Sequence, residues 1–135
     1  MTKKDLSRIY CIEKEISMWE QELQKLNDES LISSPGLDGM PGGSFKPESQ
    51  QEKRVIAKLT IEQTINGLYD ELLRVRTELT TWIASIDDSY LRQILYHRCV
   101  QAMSWQEVCD AMSLGSSDGI RKAYDRFVIK NFPKK

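Results

Sequence analysis

The sequence predicts an all-α protein: a long antiparallel helical hairpin forming a coiled-coil arm, followed by a C-terminal helix-turn-helix. Three observations predict it. Two segments carry apolar residues at heptad spacing, a Pro/Gly-rich stretch separates them, and the end of the chain reads as short capped helices around a polar turn. The expected division is residues 1–86 for the arm, with a flexible loop at about 30–50, and residues 87–135 for the head.

In the first helix Ile9, Ile12, Ile16, Trp19, Leu23 and Leu26 recur at alternating steps of three and four. Such a seam must be buried against a partner for the helix to be stable. The stretch from Ser30 through Pro47 contains three prolines and four glycines, which end the helix and imply a long loop or tether. The second helix is expected from about Glu48 to Ile86, roughly 58 Å at 1.5 Å per residue. Its seam is Ile61, Ile65, Leu68, Leu72, Val75, Leu79, Trp82 and Ile86. Charged residues such as Lys14, Glu15, Glu62 and Arg74 fill the flanks, as solvent-facing positions should. Pairing of the two seams gives the hairpin, with a domain-swapped or parallel dimer hinged at the loop as the rival arrangement, and a homodimer through the arm is expected.

In the head, Asp87-Asp88 is expected to cap a helix whose apolar face is Tyr90, Leu91, Ile94, Leu95 and Cys99. Ser104 with Glu107 forms the capping-box pattern at the start of the next helix, and Trp105, Val108, Cys109 and Met112 face inward. Cys109 is read as a small packing residue where two helices cross. The turn follows at Ser113-Leu-Gly-Ser-Ser, with Gly115 free to take positive φ. Ser116 or Ser117 then caps the last helix, which buries Ile120, Tyr124, Phe127 and Val128. Ser117, Asp118, Arg121, Lys122, Asp125 and Arg126 are left pointing outward.

Charge supports a nucleic-acid reading of that last helix. The whole chain is at −1, but residues 1–86 hold 11 Lys+Arg against 14 Asp+Glu, while residues 87–135 hold 8 against 6. Positive charge therefore collects at the C-terminal end, where a phosphate backbone would need it. Arg121 is the first candidate for a bidentate contact to guanine, since its planar fork matches O6 and N7. Arg126 and Lys130 suit phosphate contacts. The DNA-binding set is Ser104, Ser116, Ser117, Asp118, Arg121, Lys122, Asp125, Arg126 and Lys130. The bland alternative is a three-helix packing unit whose basic helix is only a solvated face.

No other chemistry is legible. One histidine and three cysteines without CxxC spacing make no zinc site, so no metal or cofactor is expected. No Gly-rich phosphate loop, HExxH or nucleophile elbow is present, and an enzyme is not expected. No signal peptide or membrane span is read, and the thiols are expected to be reduced in a cytoplasmic protein.

The run from Ile86 to Val108, IDDSYLRQILYHRCVQAMSWQEV, resembles a pattern in phage-encoded transcription regulators of Gram-positive bacteria, the RinA-like and ArpU-like late-gene activators. Their C-terminal part is similar to region 4 of bacterial sigma factors. The Ser34–Pro41 stretch, SPGLDGMP, is also similar to a linker in that group. The resemblance implies a sigma region 4-like head, binding of double-stranded DNA and control of late phage genes in a bacterial host. It also brings RNA polymerase into view as a partner. It places Arg98, Ser104, Trp105 and Glu107 in the framework and Ser117, Asp118, Arg121 and Lys122 in the recognition helix. Cys99 stands where the family usually has tyrosine, and Ser113 where glycine is usual. The turn is one residue longer than in sigma region 4, which moves the register of base contacts by about one position. The alternative function is a coiled-coil adaptor docking on polymerase, or a small terminase-like DNA-packaging component.

Overall fold

The computed structural model describes residues 1–32 and 47–133. Every regular element among them is helical. A 3-10 turn, Lys3–Ser7, leads into α1 (Arg8–Ile32). There follow α2 (Pro47–Ala84), α3 (Ser89–Leu95), a π-turn (Tyr96–Val100), α4 (Trp105–Met112) and α5 (Ser117–Asn131). Both long helices reach into the stretch expected as loop. Pro47 is the first residue of α2, the helical position where its missing N–H costs nothing. The centre of the expected loop, residues 33–46 with the SPGLDGMP stretch, lies outside the described residues.

Contacts divide the chain into two compact units. One comprises Met1–Glu13 and Glu71–Lys135, the other Lys14–Asp70. The boundary read after Ile86 falls inside the first of these. The reason is visible at Trp82, which continues the α2 heptad but packs on Phe127 and Phe132 at ring-centroid distances of 6.0 and 6.1 Å. A heptad position marks a side chain that seeks cover and leaves the identity of its partner open.

In the first unit, Leu6, Ile9 and Ile12 are buried, as are Val75, Leu79 and Ile83. Arg8 bridges to Glu71 at 3.0 Å and Arg76 to Glu13 at 3.8 Å. These pairs are partly exposed, so each contributes little next to the apolar burial. A second cluster, Ile94, Val108, Met112 and Ile120, joins α3, α4 and α5, with Tyr90, Trp105, Cys109 and Tyr124 packed around it.

The Lys14–Asp70 unit is less closed. Ile16, Ile61 and Ile65 are buried, while the seam residues Trp19, Leu23, Leu26 and Leu68 are half-buried. The Tyr69 hydroxyl donates to the Glu20 carboxylate at 3.4 Å. Val55, Ile56 and Leu59 stand exposed, at 62%, 63% and 53%. No helix among the described residues is long and apolar enough to cross a membrane.

Candidate nucleic-acid interface

The helix starts that frame the candidate site are set by local hydrogen bonds. Asp88 caps α3, its carboxylate accepting from the N–H groups of Tyr90 and Leu91 at 2.9 and 3.4 Å. At α4 the capping box is closed in both directions. The Ser104 hydroxyl accepts from the Glu107 N–H at 3.3 Å, and the Glu107 carboxylate accepts from the Ser104 N–H at 3.0 Å. That backbone bond is the chief reason the Glu107 carboxyl titrates below its ordinary range.

Between α3 and α4 the chain departs from a plain helix end. The bond from Gln101 N–H to Tyr96 O, 3.0 Å, closes a wide π-turn. Ala102 follows at φ 54°, in the left-handed region. Arg98 pins this connection. Its Nη1 donates to the Met103 carbonyl at 2.8 Å, and its guanidinium lies 4.4 Å from the centre of the Trp105 ring. Trp105 in turn meets Tyr124 edge-on at 5.0 Å. Arg98 and Trp105 therefore fix where α4 begins relative to α3 and α5. Beneath them Cys99 is buried, and burial pushes its thiol pKa up to about 11.

Ser113 ends α4 at φ 55° and Gly115 turns at φ 73°. The Cys109 thiol lies 3.5 Å from the Gly115 carbonyl, consistent with a packing role in the turn. Of the two candidate caps for α5, Ser116 takes the position, its hydroxyl accepting from the Gly119 N–H at 3.0 Å. Gly119 itself is closely approached by this cap. A Cβ there would sit 3.2 Å from the Ser116 oxygen and crowd the cap.

The outward residues of α5 fall into distinct groups. Asp118, Lys122, Asp125 and Ile129 recur at steps of four, three and four and share one exposed stripe. Within it Lys122 is ion-paired to Asp118 at 3.0 Å. Arg121 is exposed on one side of the stripe. Arg126 and Lys130 lie on the other side and line a groove that also contains Asp87 and Asp88. Ser117, expected to point outward, is half-buried at the first position of α5. Ser104 caps the other helix and lies apart from this surface. The predicted cations thus do not form one carboxylate-free face: acidic residues alternate with them along the stripe.

Trp82, Asp87, Phe127 and the π-turn are the features that sequence reasoning left out of the site. Asp87 and Asp88 were legible as a cap but not as part of a groove's lining, since only packing brings α3 and α5 together. Among the described residues no group of three His, Cys, Asp or Glu side chains is placed to hold a metal ion. The His97 Nδ1 is buried with no hydrogen-bond partner. No family model, curated protein or solved structure matches this chain.

Proposed function

We propose that α4, the Ser113–Ser116 turn and α5 form a helix-turn-helix that reads double-stranded DNA, and that the protein is a phage or prophage transcription regulator of the RinA-like and ArpU-like kind. The observation that carries this reading is a second helix opened by Ser116 that presents Arg121, unpaired with any carboxylate among the described residues, beside Asp118 and Asp125. That mixture suits base edges better than a phosphate track. Arg reads guanine O6 and N7, and Asp accepts from cytosine N4. The exposed Lys122–Asp118 pair holds little energy and exchanges readily for a phosphate contact.

Among the described residues this helix carries few free cations, so the salt dependence of binding should be shallow. The slope of log K against log salt is about −0.9 per neutralised phosphate. Selection on fragmented phage and host DNA at low salt should recover one enriched site. Arg121→Ala should then cost about 1–3 kcal/mol and relax preference at one base pair. Recovery of no enriched site, or a loss blind to sequence, counts against DNA reading.

In this reading the protein works as a homodimer joined through the arm. The apolar Val55, Ile56 and Leu59 on α2 support that assembly. The acidic members of the α5 stripe favour a second reading, in which α5 meets a protein surface and the chain is an adaptor. Solution mass bears on the assembly: a dimer fits the regulator, a monomer the adaptor, and a closed ring a DNA-packaging component.

A further inference from the structure

One surface of the first unit brings aromatic side chains together with both signs of charge. A groove of about 730 Å³ runs between the end of α2, the start of α3 and the outer flank of α5. Its lining includes the aromatic pair Trp82 and Phe127, in tilted contact at 6.0 Å. Asp87 and Asp88 join the lining from the connection between α2 and α3, and Arg126 and Lys130 join it from α5. No ion pair within 4.0 Å joins these two charged pairs among the described residues, so both signs of charge remain available at the rim.

We propose that this groove docks a short polypeptide segment of a partner protein: apolar in the middle, with an acidic side chain toward Arg126–Lys130 and a basic one toward Asp87–Asp88. The groove is open to solvent and has room for one or two bulky side chains of a bound segment. Half-buried aromatic rings supply the anchor, as they do at interface hot spots. The charge pattern chooses the occupant. A nucleic-acid strand would meet Asp87 and Asp88 as like charges, and a wholly acidic or wholly basic segment would meet one repulsive pair. Arg126 and Lys130 then belong to protein docking while Arg121, on the opposite side of the α5 stripe, belongs to DNA reading, so the two functions use separate residues.

The test uses the full-length protein and blocked synthetic peptides sharing a central Phe-Leu pair. One peptide has glutamates on one side and lysines on the other, one has glutamates on both sides, one has lysines on both, and one is mixed but with Ser-Ser at the centre. Binding is followed by NMR shifts of the Trp82 indole and the Phe127 amide. The mixed peptide should bind tightest and the Ser-Ser peptide should not bind. R126E with K130E should weaken the mixed peptide about tenfold, or about 1.4 kcal/mol, and improve the all-lysine one. Asp87→Asn should weaken the mixed and all-lysine peptides; Asp88 is left intact because it caps α3. Arg121→Ala should change none of these affinities while impairing DNA selection, so failure of either proposal is seen separately. Equal binding of all charge patterns, shifts centred away from Trp82 and Phe127, or no binding by the mixed peptide would overturn the docking assignment.

Discussion

The two units bury their apolar residues to different depths. Around α3–α5, Ile94, Val108 and Ile120 have no exposed surface at all. In the Lys14–Asp70 unit the most buried residues of α2, Ile61 and Ile65, keep 7% and 8%, and Val55, Ile56 and Leu59 lie mostly in water. The first arrangement closes its core with three short helices meeting at one point. The second relies on a linear seam, where each side chain has neighbours on few sides. Heptad spacing therefore marks which residues seek cover without ensuring that they find it.

The sharpest way to break this contrast is to remove equal apolar bulk from each unit. Ile120→Ala leaves a cavity in a closed cluster and should cost about 2–5 kcal/mol in chemical denaturation. Leu59→Ala removes an exposed side chain and should change stability by less than about 0.5 kcal/mol in dilute protein. A Leu59→Ala cost that grows with protein concentration would place the arm's missing cover in a second copy of the chain. Similar losses from both substitutions in dilute solution would erase the distinction between the units.

Local signals in the head were the most legible part of the chain. Asp88, the Ser104–Glu107 box, Ser116 and the positive φ of Gly115 all follow from residues within three or four positions of one another. The capping box also gives a smaller test. Ser104→Ala should cost about 1 kcal/mol. The Glu107 carboxyl is held below its ordinary pKa by the Ser104 N–H, so its contribution is present above the unfolded carboxyl range and fades as acid protonates it in the fold. Carbon-detected titration should find Glu107 more acidic than a peptide glutamate, and Ser104→Pro, which removes that N–H, should return it to the ordinary range. A Glu107 midpoint that stays low in the proline variant would assign the shift to another cause.

What the sequence did not disclose depends on packing across elements. Arg98 could be read as a framework position by resemblance. Its stacking on Trp105 and its bond to the Met103 carbonyl require the π-turn and the left-handed Ala102, and neither has a periodic signature. The groove was hidden for the same reason. Trp82 belongs by spacing to the arm's seam, Asp87 to a cap and Lys130 to a basic helix, and only the fold brings them to one surface. The alternation of Asp118, Lys122 and Asp125 was present in the spacing throughout. Summing charge over the segment concealed it.

A similarly small effect is expected in the turn of the better-closed unit. Ser113 ends α4 at φ 55°, a left-handed conformation that costs a side-chain-bearing residue roughly 1–2 kcal/mol. Glycine would relieve that strain but add freedom to the unfolded chain and lose the weak bond from the Ser113 hydroxyl to the Asp110 carbonyl, 3.4 Å. The strain is the larger quantity, since a long neutral bond at an exposed turn contributes little. Ser113→Gly should therefore stabilise the protein by about 0.5 kcal/mol, measured as a higher denaturation midpoint at unchanged slope. Gly115→Ala, which forces a Cβ onto φ 73°, should shift the midpoint the opposite way. If both substitutions lowered the midpoint, the Ser113 hydroxyl would have to be serving the turn more than its backbone strains it.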